Sequence, residues 1–234
     1  MRFIEHIIEP DKLLLSWQPP LDAADRKRLF VAELRRHDDD AELVYLKDTN
    51  EFKQATEKGF ECYPGFSADQ NKHEDALIAF MKRLPPRSRK DFDRFLNAIR
   101  IKPQTDISDF ALLGYSGAKL PDDTFTIIHP FDQAVPPFEF MLEVQGYRYY
   151  LNDVPCNTLT NEMQISFEKE PDNPKDPKAI KILFNGIRAG YVCRGLLDSF
   201  HKWLNGKFVI EAYLEKKNGT EEKPKIFLYV IIKP

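Results

Sequence analysis

The 234-residue chain is 42% apolar with 18 phenylalanines, which suffices for a buried core and argues against disorder. A net charge of −3 excludes a general electrostatic attraction to nucleic acid, so any such binding must come from a local site. The longest uncharged apolar run, 226–232, is too short for a bilayer, and the start MRFIEHIIEP carries an acid where a signal peptide has an apolar block, so the expected location is cytoplasmic.

Up to about residue 130 strand and helix patterns mix. Apolar-rich runs at 13–17, 28–35 and 41–46 predict strands, and NEFKQATEKG at 50–59 predicts a short helix closed by Gly59. Leu77, Phe80, Met81 and Leu84 share one helical face over 75–84, stopped by Pro85 and Pro86. A second helix is predicted from a capping box of Ser88 and Asp91, with Phe92, Phe95, Leu96 and Ile99 on its apolar face. Beyond AVPP at 134–137 the pattern turns to strands at 138–144, 147–151, 163–168, 179–184, 188–192, 208–214 and 226–232. Asn185-Gly186 predicts a type I′ hairpin turn, Asn218-Gly219-Thr220 reads as another, and one helix at 194–206 interrupts the series. Many short strands with one helix suggest a small barrel. The expected class is therefore α+β: a mixed α/β module over 1–134 and an antiparallel barrel over 137–234.

The most unusual stretch is EPDNPKDPKAIKI at 170–182. Its prolines fix φ and remove amide donors, while Asp and Asn beside them cap turns, so a purely structural corner is one reading. The run EKEPDNPKDPKAIKILFNGIRAGYV, preceded by GYRYYLN, resembles the HIRAN domain, a module of DNA remodellers that also occurs alone in bacterial proteins. The resemblance covers about 137–234 and implies an OB-like barrel that grips the free 3′ end of single-stranded DNA, in DNA repair or processing. Carried over by position, it implies Arg148 on phosphate and Tyr149 stacking on the base, with Asn173 and Asp176 at the terminal nucleotide. Tyr191 and Arg194, after Gly190, fall where the family faces phosphate. Lys175 stands where the family's DNA-binding member has a second stacking tyrosine, and Asp172 where it has an asparagine. A carboxylate accepts a hydrogen bond from a hydroxyl and repels an internal phosphate, which suits Asp176 to selecting an end.

Upstream, DALIAFMKRLPPRSRKDFDRFLNAIRI followed by ISDFALLGYSGAKL is similar to the amino-terminal subdomain of HipA-type toxin kinases, with Phe110, Leu112, Leu113 and Gly117 in comparable places. That resemblance implies an interaction surface for a kinase or helix-turn-helix antitoxin, a regulator in which the barrel is only structural. The basic stretch 82–102, with Lys82, Arg83, Arg87, Arg89, Lys90, Arg94, Arg100 and Lys102, suits a phosphate backbone or an acidic partner, but the solvated face of two amphipathic helices is the favoured reading.

No enzyme is expected. Only a proline-rich turn separates Asp172 from Asp176, too little for the paired strands of a metal nuclease, and no phosphate loop or nucleophile elbow occurs. His37 with Asp38, Asp39 and Asp40 reads as a hairpin tip rather than a cation site, and Cys62, Cys156 and Cys193 are too scattered for a metal or a disulfide framework. No cofactor and no membrane partner are expected.

Overall fold

The apolar runs near the start of the chain pair into one antiparallel sheet. The computed structural model describes residues 1–20, 26–120 and 123–234, which form two compact units. One comprises 9–95 and 104–130, the other 1–8, 96–103 and 131–234.

In the first unit β1 (Lys12–Trp17), β2 (Leu29–His37) and β3 (Asp40–Tyr45) follow the predicted runs. With β4 (Lys72–His73) and β5 (Phe125–Ile128) they make a five-stranded sheet in the order β4-β3-β2-β1-β5. The β2–β3 connection is the expected hairpin tip, with Asp38 at φ +50°. Helix α1 (Asn50–Glu57) starts where the Thr49 hydroxyl accepts the Phe52 amide at 3.1 Å, and it buries Phe52 and Ala55.

The two amphipathic helices are shorter than their apolar spacing predicts. Helix α2 spans only Leu77–Met81, because Pro85 disfavours helical geometry at Leu84 and residues 83–84 close as turns. Buried Arg83 donates to the carbonyls of Ala118 at 2.8 Å and Phe125 at 3.4 Å and pairs with Asp123. Helix α3 (Phe92–Ala98) begins after two turns, Arg89 N to Pro86 O and Phe92 N to Arg89 O, so Ser88 and Asp91 lie in those turns instead of forming a capping box. An unpredicted helix, α4 (Asp109–Ser116), is capped by the Ser108 hydroxyl and ends at Gly117, φ +71°. At Gly114 a Cβ would meet Leu13 Cδ2 at 2.6 Å, so the missing side chain sets how closely this helix approaches the sheet.

The second unit carries β6 (Phe138–Glu143), β7 (Ile165–Lys169), β8 (Ile180–Phe184), β9 (Ile187–Tyr191), α5 (Leu197–Asn205), β10 (Val209–Gly219) and β11 (Pro224–Lys233). Phe131, Phe138, Phe140, Phe200 and Trp203 form its aromatic centre, with ring centroids 4.8–6.3 Å apart. The α+β class and the antiparallel strands with one helix are as expected. The strands form two three-stranded sheets, β10-β11-β6 and β7-β8-β9, not one closed hydrogen-bonded barrel. Among the described residues one bridge joins the sheets, with Gln145 and Tyr191 exchanging both backbone hydrogen bonds at 2.9 Å. The β8–β9 turn is the predicted one, with φ +50° at Asn185 and +80° at Gly186.

Residues 147–151, expected as a strand, instead contain a 3-10 turn at Tyr147–Tyr150. Gly146 at φ +74° reverses the chain, and the buried Tyr147 ring anchors the turn by donating its hydroxyl to Val154 O at 2.7 Å. Aromatic residues favour strands only where a pleated neighbour receives them, and here the turn buries one and exposes the next. Residues 1–8 and 96–103 pack within this unit. Glu139, buried, accepts the amides of Glu5 and His6 at 3.0 Å, Tyr229 donates to Phe3 O at 2.6 Å, and Arg100 pairs with Glu215 at 2.7 Å with both side chains at least nine-tenths buried.

Candidate nucleic-acid interface

The acidic corner is the loop between β7 and β8. It opens where Glu170 N donates to Ala179 O at 2.8 Å, and Asn173 N bonds Glu170 O at 3.0 Å. Pro171, Pro174 and Pro177 lack amide donors, and two of the amides that remain are satisfied by a side chain: Asn173 Oδ1 accepts from Lys175 N at 2.9 Å and Asp176 N at 3.2 Å. Asp176 Oδ1 does the same for the Lys178 amide at 2.9 Å, and its Oδ2 pairs with Arg194 at 3.3 Å. Asp172 and Lys175 are exposed on the loop.

Across the loop stands the end of β9. The Tyr191 hydroxyl donates to Glu170 Oε2 at 2.9 Å, Asn173 Nδ2 donates to that oxygen at 2.6 Å, and Arg188 Nη1 reaches Glu170 Oε1 at 2.7 Å. Burial raises the Glu170 pKa, but the hydrogen bonds from Asn173 and Tyr191 and the Arg188 charge outweigh it and hold the carboxyl below its ordinary value. Burial drives the Tyr191 phenol upward, with its bonding to Tyr150 and Glu170 acting in the same direction. The phenol is therefore a donor at neutral pH.

The Gln145–Tyr191 bridge brings the 3-10 turn to this loop. Tyr150 lies 6.2 Å from Tyr191, ring centroid to centroid. The next ring, Tyr149, is 72% exposed, with the Arg148 guanidinium 4.6 Å over it and bonded to its hydroxyl. Gly190 permits the bridge: a Cβ there would lie 2.5 Å from Gln145 O and 2.6 Å from Val144 Cγ1.

The expected residues thus fall into connected groups: Arg148 with Tyr149, Asn173 with Tyr191 at 3.3 Å, and Asp176 with Arg194. Sequence reasoning missed Glu170 and Arg188. A register slip between Ile182 and Leu183 sets Arg188 opposite Leu183 and Gly190 opposite Ile182, which changes the alternation and puts Arg188 and Tyr191 on one face. Glu170 at the start of the corner was the available signal.

Most cations of the basic stretch 82–102 are engaged within their own units. Arg83 and Arg100 are buried in ion pairs, while Arg87, Arg89 and Lys102 pair with Asp109, Asp91 and Glu5. Among the described residues no three His, Cys, Asp or Glu side chains are grouped to hold a metal ion, and no helix is long and apolar enough to cross a membrane.

No family model matches the chain, and no curated protein matches it. Among solved structures the chain is similar to the crystal structure of the HIRAN domain of human HLTF, at 23% identity over 40% of this chain and 74% of that one, with a TM-score of 0.33.

Proposed function

We propose that the second unit binds single-stranded nucleic acid at its 3′ end and acts as a recognition module without chemistry of its own. The observation that carries this reading is Tyr149: a large ring left 72% exposed on a turn whose neighbour Tyr147 is buried and pinned. An exposed aromatic held on a fixed turn is a stacking platform for any base, and Arg148 over the ring leaves the opposite face for one. The Asp176 carboxylate receives one amide and one guanidinium, two of about four acceptor positions, and keeps capacity for a terminal hydroxyl. Lys175 and Arg194 supply charge for the backbone on either side of it.

The test is anisotropy with a labelled single-stranded oligonucleotide bearing a free or phosphorylated 3′ end. The free end binds more tightly to the wild-type chain. Tyr149→Ala weakens binding by about 1–3 kcal/mol, the range for loss of one stacked base. Asp176→Ala removes the preference for the free end. Equal, weak binding to both ends in all three proteins overturns the reading.

A further inference from the structure

We infer that Arg188 is a phosphate-contacting residue of this interface and that Glu170 is its positioning residue; the inference rests on the nucleic-acid reading above. Arg188 Nη1 donates to Glu170 Oε1 at 2.7 Å and to the Tyr191 hydroxyl at 3.1 Å. Its guanidinium carbon lies 5.2 Å from the Tyr150 ring centroid and 5.9 Å from that of Tyr191. These contacts fix the plane of the group. A guanidinium carries five N–H donors, and the contacts engage Nη1 alone, so Nε and Nη2 make no hydrogen bond among the described residues. The side chain keeps 41% of its surface exposed.

This combination differs from the other cations nearby. Lys175 is an exposed ammonium on a flexible stem that must be ordered on binding. Arg194 is bonded through Nε to Asp176, and Arg148 is bonded to the Tyr149 hydroxyl. Arg188 presents an ordered fork, and a planar fork matches two phosphate oxygens at little further entropic cost. The fork belongs to the same connected surface as the stacking tyrosine, because Tyr150, against which Arg188 packs, directly follows Tyr149 in the same turn.

Glu170 makes the proposal sharply testable, because two roles predict opposite signs. A carboxylate that merely lies near a phosphate site weakens binding, so its removal strengthens binding. A carboxylate that holds the phosphate-binding fork does the reverse.

The experiment measures affinity of the full chain for a single-stranded oligonucleotide across a salt series, with thermal unfolding of each variant as a folding control. Each phosphate contact on a single strand contributes about 0.7 to the slope of log K against log salt. Arg188→Gln lowers the slope by about that amount. Arg188→Lys keeps the slope but loses affinity, and it decides the question if Arg188→Gln fails to fold. Glu170→Ala weakens binding and lowers the slope as Arg188→Gln does. An Arg188→Gln slope equal to wild type, an Arg188→Lys affinity equal to wild type, or tighter binding by Glu170→Ala overturns the inference while leaving end binding in place. A wild-type chain that binds no oligonucleotide at low salt overturns both.

Discussion

Gly190→Ala places one methyl group where the 3-10 turn meets the acidic corner. The added Cβ lies 2.5 Å from Gln145 O and 2.6 Å from Val144 Cγ1, both under the closest approach that carbon tolerates. The carbonyl cannot retreat without breaking the reciprocal pair between Gln145 and Tyr191, two bonds of 2.9 Å. Losing both costs about 1–3 kcal/mol, at roughly 0.5–1.5 kcal/mol each. Overpacking against Val144 adds about 1–3 kcal/mol. The expected destabilisation is therefore about 2–6 kcal/mol, a large share of the ~5–15 kcal/mol that holds a typical domain. Urea unfolding followed by tryptophan fluorescence reads the change in midpoint, since Trp203 sits in the aromatic centre of the same unit. Gly186→Ala is the control: its φ is +80° but nothing lies within 4 Å of its Cβ, so only the backbone cost of about 1–2 kcal/mol applies. A Gly190→Ala protein as stable as wild type, or no less stable than Gly186→Ala, would refute the steric account of the bridge.

Three further outcomes are expected. Glu215→Ala leaves Arg100 buried without its carboxylate and lowers stability by about 3–5 kcal/mol, measurable by chemical unfolding; a change under ~1 kcal/mol contradicts the buried pair. Because the Glu170 pKa is depressed in the fold, its contribution to stability is complete above the carboxyl's ordinary value of 4.5 and is lost as pH falls through the lower folded value. Glu170→Gln should flatten that part of the stability–pH curve, and an unchanged acid limb counts against the carboxylate's role. Arg83→Met strands the Asp123 carboxylate and destabilises the first unit by about 3 kcal/mol, yet leaves the salt dependence of oligonucleotide binding at its wild-type slope; a reduced slope would return Arg83 to the phosphate-binding surface.

Legibility in the sequence followed the range of the interactions involved. Short apolar runs bounded by turn residues placed β1 to β3 and β6 to β11, and Asn185-Gly186 fixed its turn because few residues accept positive φ. The segment Tyr147–Tyr150 misled for the same local reason: its composition favours a strand, and only Gly146 and the distant bridge to Tyr191 make it a turn. Helix α2 is shorter than its apolar spacing predicts because that spacing does not register how far back Pro85 disfavours helical geometry. Helix α4 carries the cap residues Ser108 and Gly117, but Phe110, Ala111, Leu112 and Leu113 are all buried, so no amphipathic period marks it. At the candidate site, the corner stood out by composition and its residues were named by the resemblance, whereas Glu170 and Arg188 needed the register slip in β9 and the hydrogen bonds across the loop.

The bond from the Tyr229 hydroxyl to Phe3 O joins residues 226 positions apart. In a chain made from its amino end, residues 1–8 emerge long before the strand that receives them, and 96–103 wait as well for Glu215. Assembly of the second unit is therefore a late event with a long loop to close, and such non-local pairing slows folding. Ile4 is buried in the finished unit, and residues 1–8 gain the Tyr229 bond only after β11 is made.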